Sequence, residues 1–177
     1  SYPVASIGQL LYDEVDLSDA NLTTKAWFDV LREPPREPLA GDLLMSRNAS
    51  IGKVSLVTSK TPPFALGQDV VLLRARDDAS APYLKYALQS SDAKRAINLA
   101  SVGSTFKRIN ISQIKAMQLP FAAADEQGFI ANNLDQETAK IDALIAKAEE
   151  HIALAQERRA ALITAAVTGQ IDVRKAS

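Results

Sequence analysis

The sequence predicts an α+β domain followed by one long coiled-coil helix, on three observations. Residues 1–124 are cut by Pro and Gly into short β-prone runs and short helical patterns. Charge is unevenly spread along the chain. From residue 125 onward an apolar heptad pattern runs for about 40 residues without a Pro. The expected boundaries are 1–124 for the globular domain, 125–168 for the helix and 169–177 for an extended tail after Gly169. With 177 residues, 47% hydrophobic and 23% charged, the chain can bury a core and still carry an appendage.

In the first part, Pro34, Pro35, Pro38, Gly41, Gly52, Pro62, Pro63, Gly67 and Gly103 punctuate the chain. Between them Asp42–Ser46, Lys53–Thr58 and Gln68–Arg74 read as strands. "QDVVLLRAR" is apolar enough to suggest a strand buried on both faces. Residues 82–100 open with Pro82 and carry Leu84, Leu88, Ala96, Ile97 and Leu99 at mixed spacing, which predicts one or two helices. "INISQIKAMQLPF" predicts a short helix with Ser112 as N-cap, turning into a strand that ends at Pro120. No internal repeat or low-complexity stretch occurs.

In the second part, Thr138, Ile145, Ile152, Arg159 and Ala166 share one heptad position. Leu134, Ile141, Ala148, Ala155 and Leu162 share the other. The seam lasts more than four heptads and calls for a partner helix, with Ala148 and Ala155 allowing close approach. About 40 residues at 1.5 Å each make a rod of about 60 Å. Two readings follow: a helix folded back on its own domain, or one paired with a helix from another copy or another protein. The length favours the second.

Net charge is −1, which by itself points to neither nucleic acid nor membrane. The total conceals three blocks. Residues 1–46 carry three Lys/Arg against eight Asp/Glu, residues 47–124 eleven against four, and residues 125–177 six against nine. In the basic block, "SRNASIGK" offers Ser46, Arg47, Asn48, Ser50 and Lys53, and "SVGSTFKRIN" offers Ser104, Thr105, Lys107, Arg108 and Asn110. Arg suits bidentate contact to guanine and Asn to adenine, while Ser, Thr and Lys mostly hold phosphates. The stretches read as loops, where binding residues concentrate. For each residue the plainer reading is a solvated charge or a turn residue. Gly52 reads as serving the turn and Phe106 as packing beneath its loop.

Catalytic signals fail. "TPPF" at residues 61–64 resembles the motif of amino-methyltransferases, but Thr61 stands where the accepting Asn or Asp should be. A lone His151 on the helix and no Cys leave no Ser-His-Asp set and no zinc site. "SVGST" lacks the Lys of a phosphate-binding loop. Glu137 and Lys140 are at the wrong spacing for a nuclease site. No metal and no cofactor is expected. The absence of Cys fits a reducing compartment, no apolar run reaches the roughly 20 residues of a membrane span, and the expected location is the cytoplasm. Opening on Ser1 rather than Met, the chain reads as a piece of a longer one or as one with an altered start.

"EQGFIANNLDQETAKIDALIAKAEEHIALAQERRAALITAAVTGQIDVR" closely resembles the helical region of the specificity subunit of type I restriction-modification enzymes. "GDLLMSRNASIGKVSLV" and "GSTFKRINISQIKAMQLPF" resemble its upstream motifs, in the same order. The resemblance covers about residues 40–174, and "ERRAALITAAVTGQIDVR" is its most specific piece. It implies a non-enzymatic, sequence-specific reader of double-stranded DNA. Full subunits hold two target recognition domains, each followed by a long helix, with the helices antiparallel as a ruler between half-sites. They dock methyltransferase subunits and, through them, restriction subunits, to which S-adenosylmethionine, ATP and Mg would belong. This chain carries one unit of each kind, implying an antiparallel homodimer or a second half in the same parent chain. Recurrence of the motifs around "ASIG" and "GST" in members with different targets implies scaffold or phosphate contact more than base choice. The alternative from the residues alone is a coiled-coil adaptor whose globular head binds protein.

Overall fold

The computed structural model describes residues 1–11, 13–76, 78–101 and 107–171. It divides into two compact units, Ser1–Ala131 and Asn132–Ser177.

The first unit holds two three-stranded sheets. In one, β1 (Tyr2–Ala5) lies between β2 (Asn21–Thr23), antiparallel, and β5 (Ala65–Leu66), parallel. In the other, β3 (Leu43–Ser46) lies between β4 (Val54–Leu56) and β6 (Val70–Leu73), antiparallel to both. Side chains alternate across β3. Leu44 enters a core with Ala5, Leu10, Phe64 and Val70. Leu43 and Met45 enter a second core with Val54, Leu88, Ile97, Ile109 and Ile114. The strand buried on both faces is therefore β3. The expectation that 68–74 would be that strand is corrected: β6 is an edge strand on which only Val70 is fully buried.

Helix α1 (Lys25–Leu31) is capped by Thr24, whose hydroxyl accepts from the Trp27 N–H at 3.4 Å. Residues 81–100 form two helices, α2 (Ala81–Gln89) and α3 (Ser91–Ala100). Ser90 divides them: extended at φ −60° and ψ 157°, it ends one helix and accepts the Ala93 N–H of the next at 3.2 Å. Helix α4 (Ile111–Lys115) starts from Asn110, not Ser112, because the Gln113 side chain accepts the Asn110 N–H at 2.8 Å. No strand follows over 117–120. The Pro120 carbonyl instead accepts from the Tyr83 hydroxyl at 3.0 Å, and that hydroxyl accepts from the Ala122 N–H at 3.2 Å.

Much of the acidity of residues 1–46 is spent on ion pairs: Lys25–Asp29, Arg32–Glu37, Arg36–Glu33, Arg74–Asp42 and Lys85–Asp13. Two of those cations, Arg74 and Lys85, come from the basic block, so the block's charge does not all reach a common surface.

Helix α5 spans Ala124–Val167, 44 residues, about 66 Å at 1.5 Å per residue. Asp125 and Glu126 sit in its first turn, where the helix dipole favours them. Gln127 and Ala131 are buried within the first unit. Gln127 satisfies its amide completely, accepting from Ser80 N at 2.7 Å and donating to the carbonyls of Ala122 at 3.0 Å and Asp78 at 3.3 Å. In the second unit, no described residue from 132 on is buried. The helix closes at Gly169, in the left-handed region at φ 74°. The Gln170 N–H reaches back to the Ala165 carbonyl at 2.9 Å and the Gly169 N–H to Ala166 at 3.3 Å. The expected tail beyond 171 lies outside the described residues.

Candidate nucleic-acid interface

Residues 46–53 connect β3 to β4 in a turn closed around Ser46. Its N–H donates to the Lys53 carbonyl at 2.9 Å, its carbonyl accepts from Gly52 at 3.1 Å, and its hydroxyl accepts the Lys53 N–H at 3.0 Å while donating to the Ser50 carbonyl. Ser46 is fully buried. The expectation that it touches a duplex is corrected: its hydroxyl is spent on shaping the turn. Asn48 accepts the N–H of Ala49, which sits at φ 53°. Gly52 sits at φ 81°, and a Cβ there would lie 3.0 Å from Ile97 Cδ1. Only glycine meets both demands, so the turn is pinned against α3.

Beyond β3 the chain keeps pairing. The Arg47 N–H donates to Asp69 O at 2.9 Å, and its carbonyl accepts from Ile109 at 3.0 Å. Asn48 and Arg108 form an antiparallel bridge. The two basic stretches read from the sequence, 60 residues apart, are thereby side by side. Ile109 is fully buried and anchors the second stretch, leaving Lys107, Arg108 and Asn110 exposed around it. Ser50 is exposed, and Arg47, Asn48 and Lys53 are half-buried. Ser104, Thr105 and Phe106 lie outside the described residues.

Two hollows flank this surface. One, of about 270 Å³ and half open, is lined by Ser50, Ile51, Gly52, Lys53, Lys94 and Asn98. The other, of about 660 Å³, is mostly apolar and includes Arg36, Arg47 and Arg74. The Arg47 Nε is buried without a hydrogen-bond partner among the described residues. Arg74 is held by Asp42, whose hydrogen bonds raise the guanidinium pKa above its ordinary value. Among the described residues none of Lys53, Lys94, Lys107 and Arg108 is in an ion pair. Lys94 and Asn98 were not read from the sequence as site residues. They are four apart and share a face of α3, but the turn that face meets is set by tertiary packing.

On α5 the predicted seam is uncovered. Ile141, Ile145, Ile152 and Leu162 are each half or more exposed, Ala148 and Ala155 are exposed, and Leu134 is half-buried. Leu144, Leu154 and Ile163 add to the exposed apolar surface. Such a stripe marks an interaction face. Among the described residues no group of His, Asp or Glu could hold a metal ion, and no helix is long and apolar enough to cross a membrane.

A family model described as a type I restriction modification DNA specificity domain matches residues 1–153. It takes in the acidic first 46 residues, beyond the motifs read from the sequence, and stops short of the closing helical stretch. Among solved structures the chain is similar to one described under the structural basis of complex assembly and conformational transition of the type I R-M system. The two are 21% identical with a TM-score of 0.69, over 93% of this chain and 38% of that one. It is also similar to the S subunit of a type I restriction-modification system from M. genitalium, at 21% identity and TM-score 0.53, over 82% of this chain and 34% of that one. A third is the HsdS subunit from Thermoanaerobacter tengcongensis, at 23% identity and TM-score 0.50, over 63% and 25%. At these identities the likeness is one of fold. No curated protein matches the chain. The chain thus spans well under half the length of each of these solved chains.

Proposed function

Because the chain belongs to the family of type I restriction-modification DNA specificity domains, we propose that it reads one short half-site of double-stranded DNA and lends that choice to catalytic partners. The observation that carries this is the Asn48–Arg108 bridge, which joins two basic, Gly-containing stretches into one surface. Backbone and base contacts divide by side-chain chemistry. Lys53 and Lys107 are flexible point charges suited to phosphate, whereas Arg108 and Asn48 carry planar groups that can pair with a guanine or adenine edge in the major groove.

In this reading the chain performs no chemistry. Methyltransferase subunits dock on the α5 rod, restriction subunits join through them, and S-adenosylmethionine, ATP and Mg2+ belong to those partners. The working place is the cytoplasm. The exposed α5 seam takes an antiparallel helix, from a second copy or from a second half of the parent chain. In a pair of copies centred near residue 150, Ile145 meets Ala155 of the other copy and Ile152 meets Ala148. Leu134 then meets Ala166 and Leu162 meets Thr138, so large residues face smaller ones at these positions, while Ile141 meets Arg159. Twofold symmetry of such a pair makes the target an interrupted palindrome.

The test is selection of bound duplexes from a random pool, with the methyltransferase partner included, followed by titration at several salt concentrations. A DNA reader returns an enriched sequence and an affinity that falls steeply with salt. A pool that stays random, with salt-independent capture of the partner alone, favours a protein adaptor and refutes the reading.

A further inference from the structure

The half-open hollow between the 50–53 turn and α3 has no role in the reading of bases. We propose that it is a seat for a single DNA backbone phosphate, gripped jointly by Lys53 and Lys94 with the Asn98 amide as a neutral donor. The proposal rests on the DNA reading above and adds to it a positioning site built partly from a helix.

Three features make this a formed seat. Its wall is fixed: Gly52 at φ 81° is packed against Ile97, a buried residue of α3, with 3.0 Å between its would-be Cβ and Ile97 Cδ1. The Ser46 hydroxyl holds the Lys53 N–H at 3.0 Å, so the Lys53 backbone is tied to the end of β3. Its donors converge: Lys94 and Asn98 are one helical turn apart on α3, and Lys53 and Ser50 face them from the turn. Its lining holds no carboxylate. Asp92, the only acid on α3, is directed to Arg95 at 3.8 Å. Two ammonium groups without carboxylates nearby suit a phosphate's diffuse charge, whereas a base edge is matched by a planar fork of donors. The hollow is lined by residues 50–53 of the same turn that carries Asn48, so a phosphate seated there fixes the strand relative to the Asn48–Arg108 surface.

The test uses the full chain and a random-sequence duplex, so that no target needs to be known. Binding is followed by fluorescence anisotropy over a series of salt concentrations. The slope of log K against log salt changes by about 0.9 for each phosphate neutralised. Lys94→Ala and Lys53→Ala should each flatten the slope by about one unit, because the phosphate is held only when both ammonium groups grip it. The double variant Lys53→Ala/Lys94→Ala should also lose only about one unit, because both lysines serve one phosphate, whereas Lys53→Ala/Lys107→Ala should lose about two. Lys94→Arg should keep the slope. Gly52→Ala, which leaves every charge in place, should flatten it by pushing the turn off Ile97. Lys94 is exposed, so its variants fold, and circular dichroism verifies this for each protein. An unchanged slope for Lys94→Ala overturns the seat. So does a two-unit loss for Lys53→Ala/Lys94→Ala, which would place the two lysines on separate phosphates. Wild-type chain that binds no duplex at any salt overturns the DNA reading itself, and the two failures are thus distinct.

Discussion

Replacing Arg74 with Met should destabilise the first unit by about 2 to 3 kcal/mol. Asp42 precedes the central strand β3 and is 2% exposed. Its carboxylate accepts from Arg74 Nε at 2.7 Å and Nη2 at 2.6 Å, and from the Leu39 N–H at 2.7 Å. Arg74 follows the edge strand β6, so the pair ties the edge of the sheet to its centre. Breaking a fully buried pair by removing one partner costs about 3 to 5 kcal/mol. Two features lower that here. The Arg74 side chain is 43% exposed, so water can enter the space it leaves, and Asp42 keeps the Leu39 N–H. For a unit of this size each kcal/mol moves the melting temperature by roughly 3 to 5 °C, giving a fall of about 6 to 15 °C. Asp42→Asn alone should cost about 1 to 2 kcal/mol. The double variant should be little worse than Arg74→Met, leaving a coupling of at least about 1 kcal/mol. Trp27, the sole tryptophan, lies in the first unit, so its fluorescence follows that unit free of the helix-dominated circular dichroism of α5. A fall of under about 2 °C for Arg74→Met, or losses that simply add in the double variant, would refute the reasoning.

Ser46→Ala should cost about 1 to 2 kcal/mol, read by thermal melting, and weaken target and scrambled duplexes alike because the hydroxyl shapes the turn without reaching DNA. Gln127→Leu strands the Ser80 N–H and two carbonyls and should cost about 2 to 3 kcal/mol; retention of the wild-type melting temperature would show that water replaces the amide. Ile145→Asp together with Ile152→Asp buries unpaired charge in any α5 pair and should yield monomers in light scattering, against dimers for the unmodified chain at tens of micromolar; a monomeric unmodified chain would exclude the homodimer. Arg108→Ala should cost about 1 to 3 kcal/mol on the selected target and little on scrambled duplexes, while equal losses on both would move Arg108 to the phosphate-positioning group.

What could be read from the sequence depended on whether the signal was local. The α5 rod repeats one rule along 44 residues, and its apolar positions are visible without knowing what covers them. β3, β4 and β6 are bounded by Gly and Pro and were placed to within a residue or two. The first 40 residues carry no such signal: β1 has Pro3 within it, and β2 has a single large apolar residue, Leu22, which is itself exposed. The partner of β1 on its other side, β5, lies some 60 residues away. "VVLL" is more apolar than "LLMS", yet sheet order makes the second central and the first an edge. At the candidate site the basic loops were legible from Arg, Lys, Gly and Ser content. The fate of Ser46 was not, since the same hydroxyl serves a surface or a buried turn depending on which strand precedes it. Lys94 and Asn98 were hidden because a helical pattern shows which residues share a face and is silent about what that face meets.

The Asn48–Arg108 bridge bears on how such a surface could be altered over generations. A binding loop that stands alone can be exchanged by replacing a handful of adjacent codons. Here one half of the surface is registered against the other across 60 positions of chain, through the Ile109 N–H on the Arg47 carbonyl and the burial of Ile109 between them. A transplant of 47–53 without 107–110 would bring residues that no longer meet their opposite numbers, and the converse graft would fail in the same way. New preferences are therefore inherited most readily as a whole block from before β3 to beyond α4, with recombination points outside it, while changes within the block are confined to outward-facing side chains that leave the registration untouched.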